Sequence, residues 1–330
     1  MQNGHYMTGD GNHHRMVEVD MMGNTIHNWD MLERGYTMHH AISQDKQGNI
    51  LATVSKTSAK IANGKDVRIN DFIIRMDPEK GEILQEWDLV HMLDSARYGM
   101  TDYNLTADPY AQNASNWAHN NGIVEWGNDY LATARYQGIF KFNKAGGIEW
   151  IISPHGYWRD RYLKLLLNPL HADRTPITDP DVIAGTKNCD DFEWPWGCHT
   201  AVPLPNGHIF YFNNGYGRNF KLDFTDRKNV YTCGIEYEVD EVNRTVRQVW
   251  QYGKERGTAY FTPARSGVQY LEQTGNRLIC PGMSNVLSNG NRGARVTEVD
   301  PETQEIVFEL ELEDAIYQRV YRMSLYPDNQ

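Results

Sequence analysis

The sequence predicts an all-β fold, a β-propeller built from four-stranded antiparallel blades. Three observations predict it. A spacing recurs: His40 stands eight residues before Gly48, His119 eight before Gly127 and His199 eight before Gly207, while Gly267 and Gly275 keep the spacing without the histidine. Runs of β-branched and aromatic residues follow each of these turns, separated by further turn signals, which is a strand signature. A tryptophan recurs near the end of the fourth run, at Trp29, Trp87, Trp150 and Trp250, and is expected to pack between blades. Four antiparallel strands per repeat make one blade.

The repeat beginning at His40 reads as strands over about 40–45, 50–56, 71–76 and 82–88. From His119 the order returns at 130–135, 139–143 and 148–153. From His199 it returns at 209–213, 234–240 and 245–252, and from Gly267 at 277–281, 295–300 and 305–312. The chain opens on Asn3-Gly4, read as the turn after a first strand, then gives strands two to four over 5–9, 15–20 and 25–30. A lone run at 320–326 is expected to complete that blade and close the ring. Five blades are counted in this way, within one propeller domain over 1–330; the alternative is a further blade before them. Two insertions, at about 90–118 and 154–196, are expected to form lids or pocket walls, with 159–167 a candidate helix.

The 330 residues carry a formal net charge of −11, and 12% of them are aromatic, a globular composition. The acidic balance argues against nucleic-acid binding. No apolar run approaches the ~20 residues that span a membrane, and no signal peptide opens the sequence. Four cysteines are too few for a disulfide scaffold. Cys189 and Cys198 are near enough in sequence for one local disulfide, while Cys233 and Cys280 fall in strand-like runs. None has a zinc-type spacing, and neither a metal nor a cofactor is expected.

The first strand of a blade lines the central channel. His40, His119 and His199 are therefore expected to ring its mouth at one face of the disc. Arg135 lies eight residues after Gly127, as His119 lies eight before it, so the two should face each other across an antiparallel pair. Three imidazoles and a guanidinium suit an oxyanion: arginine offers a planar fork of donors, and imidazole serves as nucleophile or as acid and base. A single histidine here would read as a polar residue ending a strand; three at one repeat position argue for a site. His5, His13, His14, His27, His91, His155, His171 and His208 share no such register and read as surface or turn residues. His39 should point away from His40 along its strand.

The motifs around these residues are His39-His40, Trp117-Ala118-His119-Asn120-Asn121, Ala134-Arg135-Tyr136, Trp196-Gly197-Cys198-His199-Thr200-Ala201-Val202-Pro203-Leu204-Pro205-Asn206-Gly207 and Val320-Tyr321-Arg322. With them the chain resembles, over nearly its whole length, the bacterial arylsulfate sulfotransferases of the nucleotide-independent kind. The resemblance implies a six-bladed propeller exported to the periplasm. It implies ping-pong transfer of a sulfuryl group from a phenolic sulfate ester to a phenol through a sulfohistidine, with no cofactor. His199 maps to the nucleophile, His40, His119 and Arg135 to supporting catalytic residues, and Asn121 and Arg322 to the substrate. The implied partners are a small phenolic sulfate donor and a phenol acceptor, with no nucleic acid and no membrane span; a homodimer is compatible with this. The chain departs from the family where Ala41 follows the histidine pair in place of an acidic residue, and the family's N-terminal β-domain is not in this sequence. Two other readings use the same residues. One is a metal-dependent enzyme with a histidine cluster in the channel, against which Arg135 weighs because it repels a cation. The other is a non-catalytic binding propeller.

Overall fold

The structure is a computed structural model that describes residues 1, 3–10, 14–63, 66–97, 117–222, 225–284, 292–317 and 320. The run at 320–326 lies almost wholly outside the described residues, and Arg322 with it. Blade one is β1 (Tyr6–Asp10), β2 (Arg15–Val19) and β3 (Thr25–Asp30). Blade two is β4 (Thr37–Gln44), β5 (Ile50–Asn63), β6 (Asp66–Met76) and β7 (Ile83–Asp88), followed by the short helix α1 (Leu89–Met92). Blade three is β8 (Asn120–Trp126), β9 (Asp129–Ala134), β10 (Gly138–Phe142) and β11 (Ile148–Ile152). The second insertion contributes α2 (Asp160–Leu163), β12 (Asn168–Leu170) and α3 (Pro180–Ala184). Blade four is β13 (His199–Pro203), β14 (Ile209–Asn213), β15 (Cys233–Asp240) and β16 (Thr245–Tyr252). Blade five is β17 (Ser266–Tyr270), β18 (Arg277–Pro281), β19 (Ala294–Val299) and β20 (Ile306–Leu312).

Within each blade consecutive strands pair antiparallel. The inner strands β4, β8, β13 and β17 pack in succession, with β1 against β4. Met7, Ile42, Ile123, Val202 and Gln269, one from each blade, line a shared cavity of ≈ 390 Å³. The fold is a five-bladed β-propeller, with the blades counted from the sequence. The middle strands are buried on both faces; all five residues of β14 and of β18 are buried. That is why these strands read as continuous rather than alternating apolar runs.

Asn3-Gly4 stands as the turn before a second strand, as a repeated side-chain pattern shows. Asn3 donates to Glu18, and His5 Nδ1 lies 2.6 Å from the same carboxylate. Asn206, His208 and Glu236 repeat these contacts in blade four, again with 2.6 Å from ring to carboxylate. β1 is thus the counterpart of β14, a second strand. Among the described residues blade one has no strand inside it, and Tyr6 and Met7 face the channel directly.

The expected tryptophans do hold blade to blade. Trp87 Nε1 donates to Lys144 O (3.0 Å), Trp150 Nε1 to Glu241 Oε1 (2.8 Å) and Trp250 Nε1 to Pro301 O (3.0 Å). Each acceptor lies in the turn between strands three and four of the next blade. Trp29 holds the same position against blade two, so close to Gly81 that a side chain there would collide with its ring. The turns are built alike: Asp77, Asp240 and Asp300 each accept the backbone N–H groups two and three residues on, which is what short acidic side chains do in turns. On β20 Ile306, Phe308 and Leu310 are exposed.

Three features differ from the sequence reading. The candidate helix at 159–167 is only the single turn α2, because the chain then straightens against β11: Ile151 N–H donates to Leu165 O (2.8 Å) and Leu167 N–H to Ile151 O (2.9 Å). β12 then pairs parallel with β16, making blade four five-stranded. Both segments satisfy the open hydrogen-bonding edge of an outermost strand. β5 and β6 also run beyond the blade as a longer hairpin, paired out to Asn63 and Asp66. No helix among the described residues is long and apolar enough to cross a membrane.

Trp150, 2% exposed, gives a direct test of the inter-blade contact. Trp150→Ala should lower unfolding stability by about 3–5 kcal/mol, the usual cost of emptying such a site, in urea titrations followed by circular dichroism. A loss below about 1 kcal/mol, within the range of an ordinary surface change, would mean that the tryptophan does not join the blades.

Candidate functional site

Each of the three inner strands that carry or directly follow a histidine is irregular within two residues of it. The pairing of β4 with β5 shifts between Met38 and Ile42, that of β8 with β9 between Asn120 and Gly122, and that of β13 with β14 between His199 and Ala201. A bulge leaves a backbone group out of the ladder and re-aims the side chain. Neighbouring side chains take up those groups. Thr53 Oγ1 accepts from His40 N–H (3.0 Å) and Ala41 N–H (2.7 Å), and Asp71 Oδ2 from Asn120 N–H (2.9 Å). His119 adopts φ 54, the left-handed region, at a cost of about 1 kcal/mol or more.

The bulges bring the rings together. His40 Nε2 lies 2.7 Å from His119 Nε2, with ring centroids 4.6 Å apart, and the His40 and His199 centroids are 6.2 Å apart. His119 and His199 are buried and His40 half-buried. A 2.7 Å nitrogen–nitrogen contact requires a proton between the rings. Two nitrogens on one tetrahedral zinc ion stand further apart, roughly 3.3 Å from bonds of about 2.0 Å.

Arg135 pairs with His119 as its spacing implied: its N–H donates to His119 O at 2.9 Å. Its Nη2 donates to Pro263 O (2.8 Å), and its guanidinium lies 4.6 Å from the Tyr216 ring and 5.7 Å from that of Tyr136. Tyr136 in turn stands 6.0 Å from the His119 ring. Gly197 passes across this group at φ 62, where a Cβ would come within 3.0 Å of Tyr216 Cβ and 3.7 Å of Arg135 Cζ. Only glycine meets both demands.

The stretch leading to His199 is braced from below. Asn213 accepts from Trp196 N–H (2.9 Å) and donates to Trp194 O (3.0 Å). The buried Glu193 carboxylate accepts from Arg218 and Tyr231, and its carbonyl from Tyr237. Asn121, expected at the substrate, donates through Nδ2 to Cys198 O (2.9 Å), one residue before His199. Burial pushes the Cys198 thiol up to about 12, with Arg135 pulling the other way, so no thiolate competes with the imidazoles. The local disulfide that the sequence allowed is not formed. Cys198 is a buried free thiol and Cys189 donates to Asp191.

Asn214 is the residue that sequence reading missed. Its Nδ2 donates to Thr262 O (2.8 Å) and to Ser266 Oγ (3.2 Å), which turns its oxygen to His199 Nδ1 at 2.6 Å. That oxygen can only accept, so Nδ1 carries the ring proton and Nε2 keeps its lone pair. A signal was present: Asn214 lies seven residues after Gly207, nearly where Arg135 lies after Gly127. The histidines outside the register stay outside the cluster. His5 and His27 bond Glu18, His208 bonds Glu236, and His171 bonds Asp191. His155, expected at the surface, is half-buried against Trp194 and bonds Leu167 O. His13, Arg322 and the His39 side chain lie outside the described residues.

The sequence model of the arylsulfotransferase (ASST) family matches residues 1–322. The chain is 28% identical to arylsulfate sulfotransferase AssT of Escherichia coli O6:H1 (strain CFT073) and 28% identical to AssT of Lelliottia amnigena. Each alignment covers 95% of this chain and 57% of the relative, so the chain spans little more than half the length of these relatives. A streptogramin B lyase structure aligns over 94% of this chain and 80% of its own, with 10% identity and a TM-score of 0.40, too distant to inform the site.

The tautomer assigned to His199 can be read without any substrate. Nitrogen-15 NMR of the full chain should show His199 protonated on Nδ1. Asn214→Leu should mix the two tautomers or invert them. A wild-type ring protonated on Nε2 alone would overturn the role of Asn214.

Proposed function

The chain belongs to the arylsulfotransferase family, and from that premise we propose that it moves a sulfuryl group from a phenolic sulfate ester to a phenol, with His199 as the covalent carrier. The observation that carries this reading is the commitment of His199 Nδ1 to Asn214, which leaves Nε2 as a nucleophile beside a proton-sharing pair. Aryl sulfates resist water, so dividing one hard transfer into two easier ones accelerates it. In the first half, Nε2 attacks sulfur, and the N–S bond forms as the ester S–O bond breaks. The electron pair leaves on the phenolate oxygen, which takes the proton held between His40 and His119; the pair enters this step as imidazolium and imidazole and leaves it as two neutral rings. In the second half, the acceptor phenol returns a proton to that pair and its oxygen attacks sulfur, giving the N–S electrons back to Nε2. Because His40 and His119 share one proton, the pair rather than either ring is the general acid and base.

Arg135 supplies a fixed positive charge for the sulfuryl oxygens, held in place by Pro263 O and Tyr216. Asn121 and Arg322 complete the substrate contacts in this reading, and no nucleotide or metal takes part. Donor and acceptor use one site in turn, which makes the kinetics ping-pong. The family resemblance supports a periplasmic location.

Incubation with an aryl sulfate and no acceptor, followed by digestion and mass spectrometry, should find one acid-labile sulfuryl group on His199, within the peptide 196–206. The group on His40 or His119 instead, or turnover with no modified histidine, would refute the carrier. Arg135→Ala should lower kcat about a hundredfold, the usual effect of losing one preorganised contact to a developing oxyanion, with the circular dichroism spectrum unchanged. Unaltered turnover would remove Arg135 from the mechanism.

A further inference from the structure

The insertion between blades three and four brings together three side chains that the histidine cluster does not use. His171 follows β12 in a turn closed by Arg174 N–H to His171 O (2.9 Å), and Cys189 and Asp191 lie in the loop after α3. His171 Nδ1 is 3.0 Å from Asp191 Oδ1, and Cys189 Sγ is 3.1 Å from the same oxygen. Asp191 Oδ2 accepts from Ala172 N–H at 2.9 Å, which fixes the carboxylate between the two loops. The sulfur, the nitrogen and the carboxylate oxygen all lie within 4.8 Å of one another. None of the three side chains is fully buried, so the group is reached from solvent.

We propose that His171, Cys189 and Asp191 form a binding site for a zinc-like divalent transition-metal ion that clips the two loops of the insertion together. A thiolate, an imidazole and a carboxylate are the donor types that zinc takes, with bonds of about 2.3, 2.0 and 2.1 Å. Donors at those lengths around a tetrahedral ion stand roughly 3.3–3.6 Å apart, a few tenths of an ångström beyond the hydrogen-bonded distances here. The ion takes the place of the two protons that now bridge the group. The Cys189 thiol proton leaves to solvent, His171 moves its ring proton to Nε2, and Asp191 binds as the carboxylate it already is. One proton is released per ion bound, and water completes the coordination. The surroundings suit a cation: Asp173 and Asp190 flank the group in sequence, and the nearby Arg247 is committed to Glu238 and to Ala172 O. Burial and the bond to Asp191 hold the thiol protonated in the metal-free state, which makes it a poor nucleophile and leaves it available to a metal that can displace the proton.

The test uses the full chain after chelator treatment, dialysed against cobalt(II) or zinc(II) and assayed for bound metal. Cobalt should bind at one equivalent and give a near-ultraviolet thiolate-to-cobalt charge-transfer band. Cys198, Cys233 and Cys280 are buried, so the band reports Cys189. Cys189→Ser should abolish the band and weaken binding at least tenfold, and Asp191→Asn should weaken binding likewise, both variants keeping the wild-type circular dichroism spectrum. Zinc should raise the melting temperature of wild type and not of Cys189→Ser. Wild type that takes up no cobalt from micromolar solution overturns the proposal. So does cobalt bound without a thiolate band, which would place the ion on imidazoles elsewhere, or a band that survives Cys189→Ser.

Discussion

The contact on which the rest of the molecule depends is the one between an outer-strand tryptophan and the last turn of the following blade. Among the described residues no β-ladder joins one blade to the next, so side-chain contacts fix the rotation between them. Trp87, Trp150 and Trp250 each fill the seam with a large apolar ring and direct a single N–H to a single acceptor, Lys144 O, Glu241 Oε1 or Pro301 O. Packing alone tolerates sliding; a directional bond at the rim does not. With the rim fixed, the inner strands reach the axis in a defined register, and the residues at their starts meet.

What meets there is costly to hold. Bulges take His40, Asn121 and Thr200 out of regular pairing, and buried backbone groups without partners are expensive. Thr53 and Asp71 supply the missing acceptors from neighbouring strands. His119 retains a left-handed backbone, strain of the kind that collects at functional sites. The surrounding stretch 192–198 is overdetermined by comparison, with Glu193, Asn213 and Asn121 each tying it to a different part of the fold.

The choice of partner for each histidine separates two kinds of role. His5, His27 and His208 face carboxylates and are tied into the frame of their blades. His199 faces an amide, which orients the ring and selects its tautomer without adding a negative charge. Arg135 packs on the face of Tyr216 and close to Gly197. A cluster with neutral orientation and one fixed cation suits an anion.

The sequence by itself determined the blades and the register. The eight-residue interval from histidine to turn glycine located three inner strands, and Asn3-Gly4 was correctly placed as the turn before a second strand, because turn chemistry is local. Arg135 facing His119 followed from the same counting, since cross-strand neighbours are set by the turn between them. The tertiary structure decided the rest. Asn214 reaches His199 across a connection longer than that of blade three, Pro203 pairing with Ile209 where Trp126 pairs with Asp129, so counting from the turn glycine does not find it. The single turn α2 and the parallel strand β12 exist because edge strands of the blades were open to them, and that opening lies more than a dozen residues away or in another blade. His171, Cys189 and Asp191 meet because the insertion folds back on itself, and no periodic pattern encodes that return. Local chemistry is written along the chain, whereas the partner of a buried donor is set by whatever else the fold brings within 3 Å of it.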